Sequence, residues 1–307
     1  MNTIKIALDW TVNINHIGLF VAQDLGYYHE IGMNVQFINP SEDNYNLTPG
    51  KKLDLDLADL ALAPFETVIS LNNKANPIDA IAVFAILQND LSSLVSLKSS
   101  GINSPKDLDK KIYASYKARY EDQIVKEMVV NDGGRGELVL TYPEKLGIWN
   151  TLLTKEAHST WIFDNWEGVE AESQGIELTK FRLNDYSIPY GYSPVILGKK
   201  SKLNQSVDAF AGVIQAIRKG YGFAAQNPKQ AVELFQKHVH PADLQKIDIS
   251  RALAITKDHF GSEDSIGKMN PHRVHSFLQW LVDKKLEDAS ILTQNLFSNF
   301  FLNNPAS

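Results

Sequence analysis

Apolar and polar positions fall into blocks along this chain, and the first block sets the pattern. Ile4, Ile6 and Leu8 form a short apolar run that stops at Asp9-Trp10 and a polar loop, residues 11–15. Ile17, Phe20, Val21 and Leu25 then recur at helical spacing, Gly26 stops the segment, and a strand-like run opens at Met33. Strand, polar loop, helix, Gly stop and strand predict a βαβ unit. In such units ligands meet the loop beyond the carboxyl end of the first strand, at a helix N-terminus. That loop carries the carboxylate of Asp9, the indole of Trp10, the amides of Asn13 and Asn15 and the imidazole of His16.

The same grammar continues. Residues 57–63 read as a strand broken at Pro64, and Pro suits the first turn of the helix expected over 65–69. Residues 78–87 (IDAIAVFAIL) are continuously apolar, as a central strand buried on both faces would be. Residues 92–97 read as a strand crossing into a second lobe. A second cycle then predicts strands over 111–115, 138–142 and 159–163, and helices over 119–130, 146–156 and 166–173. The apolar residues 195–197 return the chain to the first lobe. Beyond Leu203 helices are expected over 207–225, 228–238, 241–259 and 271–286. The expectation is an α/β fold of two lobes: residues 1–93 plus 195–307, and residues 94–194.

Composition narrows the function classes. A length of 307 residues favours two lobes over one core. With 44% hydrophobic and 21% charged residues the chain is ordinary for a globular protein. A formal charge of −6 without a Lys/Arg stripe argues against nucleic acid. The absence of Cys excludes disulfides, thiolate metal sites and cysteine nucleophiles. No apolar run reaches membrane-spanning length, so no membrane insertion is expected. No basic-then-apolar leader precedes the first strand, which leaves a cytoplasmic location, or an extracytoplasmic one with the leader removed.

Catalytic signatures are absent: no dinucleotide fingerprint, P-loop, nucleophile elbow or His-Glu-x-x-His occurs. His238, His240, His272 and His275 would make a metal site only if the fold gathered them, and surface histidines near helix ends are commonplace. No cofactor and no metal are expected. Candidate binding residues sit instead where strands give way to helices. Trp166-Glu167 occupies such a junction, although acids also suit a first helical turn for the dipole alone. Of Trp161 and Phe163, which share a strand face, at least one is expected in the core. Ser115-Tyr116 follows a strand end, where small hydroxyls meet ligands or cap helices. Tyr186, Tyr190 and Tyr192 form a Tyr-rich turn that could line a pocket or decorate a hinge. Glu66 falls in the first turn after Pro64. In the first loop, N-capping by Asn15 would account for one amide and leave Trp10 and His16 unexplained.

These residues carry a resemblance. Leu8-Asp9-Trp10, His16, Gly18-Leu19-Phe20-Val21-Ala22, Gly26-Tyr27-Tyr28 and Gly32-Met33-Asn34-Val35 resemble the opening of the NMT1/THI5-like family. Weaker matches follow at Asp59-Leu60-Ala61, at 165–170 (NWEGVE) and at Ile188-Pro189-Tyr190. The resemblance implies the type II periplasmic-binding-protein fold: two α/β lobes, two crossover strands and a ligand held between the lobes. The family includes pyrimidine-binding proteins of thiamine-precursor ABC importers and a eukaryotic synthase branch. That branch uses a Lys and a nearby His after its third strand, plus a Cys-rich iron-binding motif. Here the corresponding residues 61–67 (ALAPFET) have neither Lys nor His, and the chain has no Cys. The importer branch is therefore the expected function, non-enzymatic, with a thiamine-type aminopyrimidine as ligand and an ABC permease as partner. A divergent cytosolic pyrimidine synthase or hydrolase is the alternative, and an importer component for another solute, such as a sulfonate or nitrile-derived compound, a third. Trp10 and Trp166 would flank the ring, Glu66 or Glu167 would accept from its exocyclic amine, and Asn13 and His16 would fix orientation. Ser115, Tyr116 and Tyr190 complete the expected site.

Overall fold

A computed structural model of the chain describes residues 2–143 and 148–304. Its strands are β1 (Asn2–Ala7), β2 (Met33–Ile38), β3 (Leu60–Ala63), β4 (Ala80–Ala85) and β5 (Ser92–Leu97), followed by β6 (Ile112–Ala114), β7 (Val139–Thr141), β8 (Ser159–Phe163), β9 (Leu178–Arg182) and β10 (Val195–Lys199). They form two five-stranded sheets and fall into two compact units. Unit one holds the chain up to Asp90, Gly191–Gln245, and everything from Ile249 on; unit two holds Leu91–Tyr190 and Lys246–Asp248.

In unit one the strand order is β2-β1-β3-β10-β4. β1 runs parallel to β2 and β3, while β10 enters antiparallel between β3 and β4. Every residue of β4 is buried, which explains its unbroken apolar sequence. In unit two the order is β7-β6-β8-β5-β9, with β6 parallel to β7 and β8, and β5 antiparallel to β8 and β9. The parallel strands of each sheet place their following loops at one end. In unit one these are the loops after β1, β2 and β3; in unit two, those after β6, β7 and β8.

Helical expectations hold with two adjustments. The start of the helix expected over 146–156 lies outside the described residues; the described part is Ile148–Leu153. The single helix expected over 241–259 is two, Pro241–Leu244 and Ile249–Thr256. Between them Lys246–Asp248 join unit two, where Lys246 pairs with Glu170 at 3.7 Å. Burial of Ile247 and this pairing take the chain off the helical path.

The loop after β1 is held from behind by a close helix crossing. The Ile17–Asp24 helix packs on Val207–Gln226 through Gly18 and Gly220: a methyl group on Gly220 would collide with the Gly18 carbonyl, and one on Gly18 with the Tyr221 ring. The buried Tyr221 hydroxyl donates to the Asn15 carbonyl at 2.5 Å, tying the crossing to the loop. Gly220→Ala is accordingly expected to destabilise the protein by about 2–3 kcal/mol, the cost of forcing a methyl into a filled core. Denaturant unfolding measures it; unchanged stability would mean that the two helices move apart freely.

Candidate functional site

The loop after β1 is built by its own polar groups. Asn13 Oδ1 accepts the Asn15 N–H at 3.0 Å, and its side-chain amide donates to the Thr11 carbonyl at 3.0 Å. The cap of this turn is therefore Asn13, and Asn15, the alternative cap, lies within the turn ahead of the Ile17–Asp24 helix. His16 is fully buried: Nδ1 accepts the Asn13 N–H at 3.2 Å, and Nε2 lies 2.7 Å from Asp9 Oδ1. Because Nδ1 is an acceptor, the neutral ring carries its proton on Nε2 and donates it to Asp9. Both ring nitrogens are thus engaged within the loop. Asn13 and His16 shape the loop and aim the partly exposed Asp9 carboxylate; the structure does not present them as free ligand donors.

Trp10 is different, because it exposes 46% of its surface. Its ring packs 5.3 Å from that of Tyr45, tilted by 53°. Tyr45, also 45% exposed, was not among the sequence candidates. It lies past the end of β2, which neighbours β1 in parallel register, so the two loops meet. Asn44 and Tyr45 are both left-handed (φ 53° and 61°), a turn that Asn tolerates and that swings the tyrosine toward Trp10. Burial first, and then the Asp243 carboxylate, raise the Tyr45 hydroxyl above its ordinary pKa. Glu66 follows β3 at the same end, buried in the first turn of the Glu66–Asn72 helix, where the dipole favours its charge.

Unit two gathers carboxylates and phenols. Adjacent β6 and β8 bring the loops of residues 115–120 and 164–166 to one end. Ser115 is buried, and its Oγ accepts the Lys117 N–H at 2.9 Å, closing the first loop. Tyr116 is 40% exposed, yet burial at its hydroxyl, followed by the Glu167 and Glu121 carboxylates, raises that phenol well above its usual value. The open part of Tyr116 is therefore ring. Glu167 begins the Glu167–Ser173 helix, with Oε2 accepting the Phe163 N–H at 3.0 Å. Burial pushes its carboxyl up to about 7, against the pull of the Phe163 N–H and its own N–H, and Glu170 and Asp164 add to the rise. Trp166 is buried, with 6% of its surface exposed, and presents no open indole face as Trp10 does. Tyr190 sits edge-on to the buried Trp161 ring at 5.7 Å. Asp164, within the same junction, is spent structurally: it pairs with Lys180 at 2.9 Å and accepts the Ser93 hydroxyl at 3.1 Å.

Open rings beside fixed carboxylates suit a flat, nitrogen-rich ligand. Rings stack, and carboxylates accept amine donors in charge-assisted bonds. Among the described residues no three His, Cys, Asp or Glu groups come together as a metal centre would need.

Comparison with known proteins adds four findings. The profile of the family described as NMT1/THI5 like matches residues 13–231. The chain is 21% identical over 305 residues to a formylaminopyrimidine-binding protein of Halalkalibacterium halodurans, covering 97% of this chain and 90% of the relative. It is also 22% identical over 240 residues to a 4-amino-5-hydroxymethyl-2-methylpyrimidine phosphate synthase of Legionella pneumophila, covering 75% of this chain and 72% of the relative. The crystal structure of the periplasmic aliphatic sulphonate binding protein of Escherichia coli superposes with a TM-score of 0.69 at 12% identity, covering 98% of this chain and 99% of that one.

Proposed function

The chain belongs to the NMT1/THI5-like family and has the periplasmic-binding-protein fold, and on that footing we propose that it is a solute-binding protein for a thiamine-type aminopyrimidine. Formylaminopyrimidine and hydroxymethylpyrimidine are the ligands of first choice. The protein would act outside the cytoplasm and pass its ligand to an ABC permease. The observation that carries the reading is the open Trp10–Tyr45 ring pair beyond the carboxyl end of β1. Stacking on Trp10 accounts for a flat ring, and a carboxylate, Glu66 or Glu167, for an exocyclic amine. The name of the relative aligned over 97% of this chain supports the same ligand class.

A synthase-like activity is the competing reading, because another relative carries that name. Past β3 this chain reads Pro64-Phe65-Glu66-Thr67 and offers neither a nucleophilic lysine nor a histidine. Binding without turnover is therefore expected. Titration of intrinsic Trp fluorescence with the two pyrimidines tests binding, and saturable quenching or enhancement is the expected result. Incubation with pyridoxal phosphate and iron tests turnover. A pyrimidine product above the no-protein control would overturn the binding-only reading.

A further inference from the structure

The loop that joins β6 to the Glu121–Asn131 helix turns its donors inward, onto a carboxylate of the chain itself. Glu121 is buried, with 4% of its surface exposed. Its Oε1 accepts the Tyr113 hydroxyl at 2.6 Å and the Tyr116 N–H at 3.0 Å, and its Oε2 accepts the Ala118 N–H at 3.1 Å. The residue opens an eleven-residue helix, where unpaired N–H groups and the dipole favour negative charge. A helix start beyond a parallel strand is a ready position for a phosphate or sulfonate. In this protein the N–H groups of the loop leading into that position, Tyr116 and Ala118, already donate to Glu121.

We infer that Glu121 is the built-in occupant of an anion cradle, and that it makes the ligand-facing end of unit two refuse anions, so that an uncharged pyrimidine is selected over its phosphate monoester. The inference rests on the aminopyrimidine reading for the compounds being compared and for the ligand's place at Glu167. Tyr116 donates its N–H to Glu121, and β6 lies beside β8 in parallel register, so this loop and the Glu167 helix start share one end of the sheet. An anion placed beside Tyr116 would face these two acids. The cations of the same loop are engaged elsewhere. Lys117 lies over the Tyr142 ring at 5.5 Å, and Arg119 donates from Nε to the Tyr120 hydroxyl at 2.8 Å.

Two measurements on the full chain test this. In the first, Glu121→Ala empties the cradle while leaving its three donors in place, and Glu121→Gln keeps it filled. Formate is expected to raise the Tm of Glu121→Ala, with no such rise from chloride at equal ionic strength, and no such rise in wild type or Glu121→Gln. If Glu121→Ala folds only with an added anion, recovery of native circular dichroism in formate but not chloride is the equivalent result. A formate response equal in all three proteins, or absent from Glu121→Ala, overturns the cradle. In the second, wild-type protein is titrated at about pH 8, where the Glu167 carboxyl is ionised, with hydroxymethylpyrimidine and with its phosphate monoester. The uncharged compound is expected to bind roughly a hundredfold more tightly, because juxtaposed like charges cost several kcal/mol. Equal affinities overturn the selection. If neither compound binds, the pyrimidine reading fails, while the formate result still decides the cradle.

Discussion

Trp10→Ala is expected to weaken pyrimidine binding by about ten- to a hundredfold while leaving folding stability almost unchanged. Stacking a base-like ring on an aromatic side chain contributes about 1–3 kcal/mol, and each 1.4 kcal/mol is tenfold in affinity. Trp10 is 46% exposed, so little core packing is lost with it. Its intramolecular contact is the tilted Tyr45 ring at 5.3 Å. Tyr45→Ala should therefore give a smaller loss in the same direction, by freeing the indole to rotate. Calorimetric titration is the suitable readout, because removing Trp10 also removes a fluorescent reporter. Trp166→Ala cannot serve as the matching test. With only 6% of Trp166 exposed, its truncation should cost about 3–5 kcal/mol of stability, whatever its role toward ligand. Wild-type affinity in Trp10→Ala would remove the indole from the site and direct attention to the Tyr116 ring.

What the sequence disclosed and what it hid follow from how each signal arises. β4 was legible because a strand buried on both faces must be apolar throughout, and all of Ala80–Ala85 is buried. β9 left no such trace. It lies at the edge of its sheet and buries only Phe181, so Leu178–Arg182 reads as a polar connector. The Pro49–Asp54 helix also escaped notice, because its buried positions include Gly50 and Lys52. Lys52 is buried through its 3.1 Å pairing with Asp43, a partner that periodicity cannot reveal. The site divides in the same way. Asp9-Trp10 stood out as polar and aromatic residues stopping an apolar run, whereas Tyr45 acquires meaning only once β2 is known to lie beside β1. Glu121 reads in sequence as an ordinary first-turn acid. Its significance lies in three donors drawn from Tyr113, Tyr116 and Ala118, which converge only in the folded loop. His16 was legible as unusual, but its buried contacts with Asn13 and Asp9 make it a support for the loop.

Glu167 is expected to give ligand binding a pH dependence centred near neutrality. Its carboxyl is pushed up to about 7, chiefly by burial, so it is largely protonated in mildly acidic solution and ionised in mildly basic solution. An exocyclic amine donates to the ionised form, so pyrimidine affinity should rise about tenfold between about pH 6 and about pH 8. Glu167→Gln should bind more weakly at the upper end and lose that slope, because the amide does not titrate. Stability moves the opposite way. Between the ordinary value of 4.5 and about 7, the unfolded chain has released a proton that the folded chain retains. The folded state then binds more protons, so stability falls as pH rises through this window, being fully present below 4.5 and lost above about 7. Glu167→Gln should flatten this contribution, so the variant's Tm gains on wild type as the solution is made basic. Calorimetric titrations and thermal melts of both proteins across the window read the two effects separately. Affinity that falls with rising pH would show that Glu167 donates a proton to the ligand, and affinity without pH dependence in either protein would place it outside the site. A melt difference between the proteins that is constant with pH would show that the carboxyl is ionised throughout, and would remove the basis of both expectations.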